Sequence, residues 1–481
     1  MARKFYITCA IPYVNAKPHV GHALEFVQGD VIARYRKLLG DDVILLSGGD
    51  ENALKNVQAA ETANEPVQDF VDKNNKLFVE LTNNLNCQFD VWQKGSDQEK
   101  HFKSSQKLWE LCKKDIYQKE YEGLYCLGCE AFYSPGDLNK NGECFEHPGK
   151  KLEKVKEKNY FFKLSKYQKQ LIDLIQKDKL KIYPIERKNE ILSFLKEPLQ
   201  DISISRSNER AKNWGVPVPD DDSQKIYVWF DALNIYQSGI GFDWDEDKYK
   251  KYWPADIHII GKGITRFHAV YWPAFLLSAG LKIPKALFVH GYFTVNGQKM
   301  SKTLGNVIDP NEIIEKYGAD SLRYYFLAKF QPFTDGDFSE DKLKDVYNAD
   351  LANGLGNLVS RVAKLCEKSG FRLGINESIH QYNKEISKAL DEFRFDEALK
   401  IIWSEISKLD QKINQEEPWK LKDNDLKVFL ESAVESIKHI AYNLKPFLPE
   451  TAEKIEKIFS GPKIRSSEPL FPRLPAGRPR I

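Results

Sequence analysis

A strand, a proline-broken loop, a helix and a second strand follow one another in the first fifty residues, and few folds accept that order. Lys4 to Ala10 suits a strand, and the loop PYVNAKP ends it. From Gly21 the apolar residues Ala23, Val27, Val31, Ile32 and Tyr35 recur at helical spacing as far as Leu39-Gly40. The next apolar run, Val43 to Leu46, ends in Ser47-Gly48-Gly49-Asp50. Buried strands joined through a helix pair in parallel, so Asp50 falls at a carboxyl strand end, where open parallel sheets bind ligands. Ile226 to Phe230, Ile257 to Ile260 and Ala286 to Val289 read as further buried strands. The expected fold is α/β, a Rossmann-type doubly wound parallel sheet split by an insertion at about residues 115 to 225.

From about Tyr347 strand punctuation fades. Helical periodicities run over Leu351 to Cys366, Ile386 to Leu409 and Leu426 to Leu444, which implies an all-α bundle. The tail from Ser460, rich in Pro and Arg, reads as a surface strap or as disordered. The organisation expected is a first catalytic half at 1–114, the insertion at 115–225, a second half at 226–340, the bundle at 341–465 and a tail at 466–481. A chain of 481 residues with 42% hydrophobic composition supplies cores for about three units.

Charge excludes a uniform field for nucleic acid, because 71 Lys+Arg against 69 Asp+Glu leaves +2. The segment 151–190 carries 12 Lys+Arg against 6 Asp+Glu, a local excess that reads as a solvated helical face. No apolar run approaches a membrane span, the longest being of the order of Trp272 to Leu281. The amino terminus, MARKFYITCAIPYV, resembles a secretion signal, but Pro12 breaks it and no small-x-small cleavage site follows. Seven cysteines, an odd number on a long chain, point to reduced thiols or a metal site and to the cytoplasm.

Three constellations carry chemistry. His19-Val20-Gly21-His22 opens the first helix, where amide groups and the positive dipole end favour an anion and Gly21 admits close approach. A triphosphate fits, although capping or packing histidines would give the same string. Lys299-Met300-Ser301-Lys302-Thr303 follows a hairpin signalled by Asn296-Gly297. Two lysines and two hydroxyls in such a loop can close on a polyphosphate. The third is Cys126-x2-Cys129, fourteen residues, then Cys144-x2-His147, the spacing of a closed four-ligand zinc site with a structural role. Four unrelated reduced side chains are the alternative. Cys9, Cys87, Cys112 and Cys366 lie in apolar patterns and read as core.

HxGH followed by KMSKT resembles the two signatures of the class I aminoacyl-tRNA synthetases. The blocks CAIPYVNAKPHVGHALEF, KIYVWFDALNIY, IIGKGITRFHAVYWPAFLLSAGL, LFVHGYFTVNGQKMSKTLGNVIDP and NADLANGLGNLVSR are similar to its methionyl branch over nearly the whole chain. The compact insertion agrees, since the isoleucyl, valyl and leucyl branches carry a large editing domain there.

The resemblance implies ATP-dependent activation of L-methionine and transfer of the methionyl group to tRNA(Met). Mg²⁺ accompanies the ATP, and a structural Zn²⁺ sits in the insertion. It implies His19, His22, Lys299 and Lys302 as catalytic residues, with Gly21 and Gly261 also at ATP. For methionine it implies Ile11, Tyr13, Asp50 for the α-ammonium, Trp229, Ala232, Tyr236, Ile264 and His268. His268 or Tyr13 is expected to offer a weak donor to the sulfur. Asn357, Arg361 and Trp419 are implied for the anticodon, although Trp419 could instead close the bundle. A monomer is expected.

Some positions depart from the family pattern. Gly49-Asp50-Glu51-Asn52-Ala53 stands for TDEHG, Gly261-Lys262-Gly263 for GKD, and Leu233-Asn234 where a Pro is common. A non-catalytic relative would show erosion of HxGH or of the KMSK lysines, and both are intact.

Overall fold

The computed structural model describes residues 2–126, 131–133, 138–144, 149, 151–300, 305–374 and 382–474. Its contacts group into two compact units, residues 1–18, 40–82 and 88–290 in the first and 19–39, 83–87 and 291–481 in the second.

The first unit is built on a six-stranded sheet. Its strands are β1 (Lys4–Cys9), β2 (Asp42–Gly49), β3 (Val91–Lys94), β4 (Lys181–Tyr183), β5 (Ile257–Gly261) and β6 (Ala286–His290), in the order β3-β2-β1-β5-β6-β4 and parallel throughout. The near-continuous apolar sequences of β1 and β2 are those of strands covered on both faces. Gly48 is required there, because a Cβ on it would lie 2.1 Å from the Gln93 carbonyl oxygen of β3.

The strand expected at Ile226 to Phe230 is absent. Ile226 ends Asp221–Ile226, a strand of a small antiparallel sheet, and helix α2 (Val228–Ser238) begins two residues later. Every residue of α2 is buried. The misread run, Ile226 to Phe230, is apolar throughout and stops short of the polar positions of α2, and so short an apolar run reads the same for a buried helix and a strand.

The expected insertion is less separate than its sequence suggests. Ile116–Cys126 pairs antiparallel with Ala131–Tyr133 and Glu153–Phe162, but Lys181–Tyr183 returns to the main sheet as its edge strand β4. Part of the Lys-rich segment is strand rather than helix. Lys154, Lys156 and Lys158 alternate with buried Val155 and Asn159 along Glu153–Phe162, so the solvated face predicted there has a period of two.

In the second unit are α1 (Val20–Leu38), strands β7 (Phe293–Val295) and β8 (Gln298–Lys299), and helices α3 (Ala319–Lys329), α4 (Asn357–Ser369), α5 (Lys384–Asp391), α6 (Phe395–Glu416) and α7 (Asp423–Leu444). The Asn296-Gly297 hairpin is present, with φ of 51° and 77° and Thr294 paired to Lys299. The single helix read over Ile386 to Leu409 is two. Phe393, at φ 59°, turns the chain between α5 and α6; each helix keeps helical apolar spacing, but the stripe Ile386, Ala389, Leu390 and the stripe Phe395, Ala398, Leu399, Ile402 are about half a turn out of phase, which marks the break. A buried Arg323 on α3 ties this unit together. Its guanidinium pairs with Asp30 of α1 at 2.7 Å and donates to the carbonyls of Leu85 (3.2 Å), Pro446 (2.8 Å) and Phe447 (2.7 Å).

The tail is a strap as far as described. Phe471 is buried against Tyr347, whose hydroxyl donates to the Pro472 carbonyl. Cys9, Cys87, Cys112 and Cys366 are all buried, as read from their apolar surroundings. Among the described residues, no helix is long and apolar enough to cross a membrane.

Candidate active site

In the first unit the carboxyl ends of β1, β2 and β5 present the residues expected around an amino acid. The Asp50 N–H donates to the Pro12 carbonyl at 2.8 Å, and Tyr13 and Asp50 form a parallel bridge beyond the strands. Asp50 is thereby fixed at the strand end, and its side chain is buried. Trp229 of α2 stacks on Phe267 with ring centroids 3.7 Å apart and planes 4° apart, while Tyr13 meets it edge-on at 6.4 Å. Ile11, Tyr13 and Ile264 are partly buried against the cluster that holds Trp229 and Tyr236, and Ala232 is buried on α2. Gly261 is the last residue of β5. Such walls, aromatic and aliphatic, suit an apolar, polarizable side chain.

His268 lies on a π-helical turn, Phe267–Tyr271, and is fully buried. Burial holds its imidazole down to about 4, so the ring is neutral at physiological pH. Nδ1 lies 3.0 Å from the Ile264 carbonyl, which can only accept, so Nδ1 carries the proton. Nε2, 2.8 Å from the Tyr236 hydroxyl, therefore accepts. This overturns the expectation that His268 offers a donor to sulfur: both nitrogens are committed, and of the two residues Tyr13 is left. His268 instead orients Tyr236.

In the second unit the two histidines of HVGH form a reciprocal cap on α1. The Gly21 N–H donates to His19 Nδ1 at 3.1 Å, and the His19 N–H to His22 Nδ1 at 3.2 Å. The rings stack with centroids 3.9 Å apart. With each Nδ1 accepting, the neutral tautomer carries its proton on Nε2, and that N–H is the one a phosphate oxygen could take. Burial pushes His19 down to about 4, so it would act as a neutral donor and not as a cation. A Cβ on Gly21 would lie 2.9 Å from His19 Cε1, which is why only glycine lets the ring fold over the helix mouth. The capping and anion readings of these histidines are thus compatible.

Met300 of the KMSKT motif and Ile308, five residues beyond it, reach the same helix end. Met300 Cε is 3.7 Å from the Gly21 Cβ position, and the Val20 N–H donates to the Ile308 carbonyl at 3.3 Å. HxGH, Met300 and Ile308 thus belong to one unit, not to the two halves of a split sheet. Lys302 lies outside the described residues, as does the side chain of Lys299.

On the helical side, Asn357 and Arg361 are one turn apart on α4. Asn357 is exposed, and Arg361 reaches Asp410 at 2.5 Å and Asn414 at 2.7 Å on α6. Trp419, just past α6, is 55% exposed and does not close the bundle. Of the four expected zinc ligands, Cys126 and Cys144 are buried, with Cys144 Sγ 3.4 Å from the Tyr133 hydroxyl. Cys129 and His147 lie outside the described residues.

Residues 5–148 and 135–363 match the family described as tRNA synthetases class I (M), and residues 374–476 match the anticodon-binding domain of tRNA ligases. The chain belongs to the class I tRNA synthetases of the methionyl group. A methionine–tRNA ligase of Brucella melitensis is 39% identical over 95% of this chain and 92% of its own. That of Thermotoga maritima is 38% identical over 97% of this chain and 77% of its own. The Mycobacterium tuberculosis methionyl-tRNA synthetase solved in complex with methionyl-adenylate is 33% identical, with a TM-score of 0.90 over 98% of this chain and 100% of that one.

Within this synthetase, three features escaped the sequence reading. Phe267 supplies the stacking partner of Trp229, and its signal was an aromatic three residues after Ile264. Lys55 sets its Nζ 3.3 Å from the centroid of the Tyr13 ring. Asn52, noted only as a departure, bonds to Asp231 of α2. No local pattern announces a partner 179 residues away.

Proposed function

We propose that this chain is a methionine–tRNA ligase, which activates L-methionine with ATP to methionyl-adenylate and pyrophosphate and then transfers the methionyl group to the 3′ end of tRNA(Met). In the first step a methionine carboxylate oxygen attacks the α-phosphorus of ATP, forming the acyl phosphate bond as the bond to the bridging oxygen breaks and pyrophosphate leaves. In the second, a hydroxyl of the terminal ribose attacks the acyl carbon and AMP leaves. Both steps depend on positioning and on charge stabilisation more than on a protein nucleophile.

The observation that carries the reading is the meeting of the paired histidines with Met300 of the KMSKT motif and with Ile308 beyond it at the mouth of α1. Nε2–H groups of His19 and His22 donate to phosphate oxygens, and Lys302, assisted by Lys299, adds positive charge as pyrophosphate departs. Asp50 takes the α-ammonium. Trp229, Ala232, Tyr236, Ile11, Ile264 and Tyr13 enclose the thioether, and His268 orients Tyr236. Asn357, Arg361 and Trp419 read the anticodon; the exposure of the Trp419 indole supports base stacking.

Mg²⁺ bound with ATP would neutralise polyphosphate charge. Two buried thiols, one beside a tyrosine hydroxyl, fit a tetrahedral zinc site that Cys129 and His147 would complete. That metal would hold the insertion and take no part in the reaction. The cysteine usage is that of a cytoplasmic enzyme.

The test is ATP–pyrophosphate exchange measured with each of the twenty amino acids. Exchange with methionine and with no other sustains the reading. Exchange that is absent, or faster with another amino acid, overturns it.

A further inference from the structure

Helix α2 carries two stripes with the same spacing. Trp229, Ala232 and Tyr236 are at i, i+3 and i+7, and so are Asp231, Asn234 and Ser238. Offset by two residues, the stripes lie about 200° apart around the helix, on nearly opposite faces. Since α2 is buried on every side, apolar packing alone does not select its rotation, because burial of surface is non-directional. Directional bonds along the polar stripe can.

These bonds are numerous. One Asp231 oxygen accepts from His101 Nε2 at 2.7 Å and from the Ser105 hydroxyl at 3.0 Å. The other accepts from the Asn52 amide at 2.7 Å. His101 Nδ1 lies 2.8 Å from the Ser238 hydroxyl, and the Asn234 amide donates to Ser104 at 2.9 Å. His101, Ser104, Ser105, Asn234 and Ser238 have no solvent exposure, and Asp231 has 2%.

Asn52 is the member that reaches across to the opposite side of the pocket. It stands two residues past Asp50, and its second amide hydrogen goes to the Gly95 carbonyl at 2.8 Å. The Gly95 N–H in turn donates to Gly49, the last residue of β2, at 3.0 Å. The strand end that bears Asp50 and the helix that bears Trp229 are therefore cross-tied through one side chain.

We propose that Asn52 and Asp231 are positioning residues for amino-acid selection. Neither would touch methionine. Their hydrogen bond sets the separation between the ammonium anchor at Asp50 and the apolar wall of α2, and so the side-chain length the pocket accepts. This rests on the methionine-pocket reading above. It gives the Asn52 departure a role: the asparagine donates an N–H to the carboxylate, and a histidine, the residue of the family pattern there, also carries a ring N–H.

The test is steady-state exchange on the full chain with Asn52→Ala and Asn52→His. Asn52→Ala is expected to raise the methionine KM about tenfold, the loss typical of a buried hydrogen bond to a charged group, with kcat and the ATP KM nearly unchanged. Asn52→His is expected to return the methionine KM most of the way. Should Asn52→Ala lower the folded fraction by circular dichroism, the near-isosteric Asp231→Asn replaces it and is expected to raise the same KM. An unchanged methionine KM, a parallel rise for ATP, or no recovery with histidine overturns the proposal. Wild-type chain lacking methionine-dependent exchange would instead overturn the functional reading, so the two failures are distinct.

Discussion

Replacing His268 with glutamine should flatten the acid side of the stability profile. In the folded chain, burial holds this imidazole near 4, against 6.5 for an unperturbed histidine. Between those values the unfolded chain binds the proton and the native one does not, so stability is full above about pH 6.5 and is lost as the pH falls towards 4. A separation of 2.5 units corresponds to about 3 kcal/mol in total. Linkage assigns about 2 kcal/mol of it to the interval from pH 8 to pH 5. His258, stacked on Tyr236 and also driven down by burial, acts in the same direction and remains in the variant. The assay is urea unfolding followed by tryptophan fluorescence at pH 8 and pH 5 for both proteins. Losses from groups that do not interact with His268 are common to the two and cancel in the comparison; that of His258, driven down first by burial and then by His268 itself, cancels in its larger, burial part. Asn or Gln at 268 does not titrate, so the variant, although less stable at pH 8, should lose about 2 kcal/mol less than wild type on acidification. Equal losses would mean that His268 is not a buried neutral imidazole and would remove the argument that it accepts from Tyr236.

Lys302→Ala should slow pyrophosphate exchange roughly a hundredfold, the usual result of losing one transition-state contact, with methionine affinity held; a native exchange rate contradicts its role. Trp419→Ala should impair tRNA charging while leaving exchange unchanged and thermal stability within about 0.5 kcal/mol, as expected for an exposed side chain; equal loss in charging and exchange would indicate packing. Arg323→Met should destabilise the chain by about 2 to 4 kcal/mol in denaturant unfolding, because buried Asp30 keeps Arg34 at 2.7 Å but loses its second guanidinium, and the carbonyls of Leu85, Pro446 and Phe447 lose their donor. A change within 1 kcal/mol would show the Arg323 node to be dispensable. Metal analysis of purified protein should return one zinc per chain, and the Cys126→Ser and Cys144→Ser variants should lose it; wild type without zinc leaves the four residues as reduced side chains.

Much of this was legible in the residues. β1, β2, β5 and β6, the Asn296-Gly297 hairpin and the bundle helices follow from local period and turn chemistry. HVGH and KMSKT pointed together to an anion site, each being weak by itself, and the structure brings Met300 to the mouth of α1 beside HVGH. Where reading failed, the cause was specific. Ile226 to Phe230 reads as a strand because that run is apolar throughout and too short to show a helical period, and Ile386 to Leu409 reads as one helix because each half keeps helical spacing, although the apolar stripe shifts by about half a turn at Phe393. The sulfur donor assigned to His268 failed for another reason: an imidazole's protonation depends on what its two nitrogens meet, here Ile264 and Tyr236.

From the order of residues alone came the strand ends, the helix mouth and the chemical types gathered there, because each depends on neighbours within about one turn or one hairpin. Only the folded chain decided that Asn52 would meet Asp231, that Met300 and Ile308 would return to Gly21 and Val20, and which nitrogen of His268 would hold a proton. Those pairings join residues far apart in sequence. Their strength comes from the low dielectric and fixed geometry of the interior, neither of which exists until the core has closed.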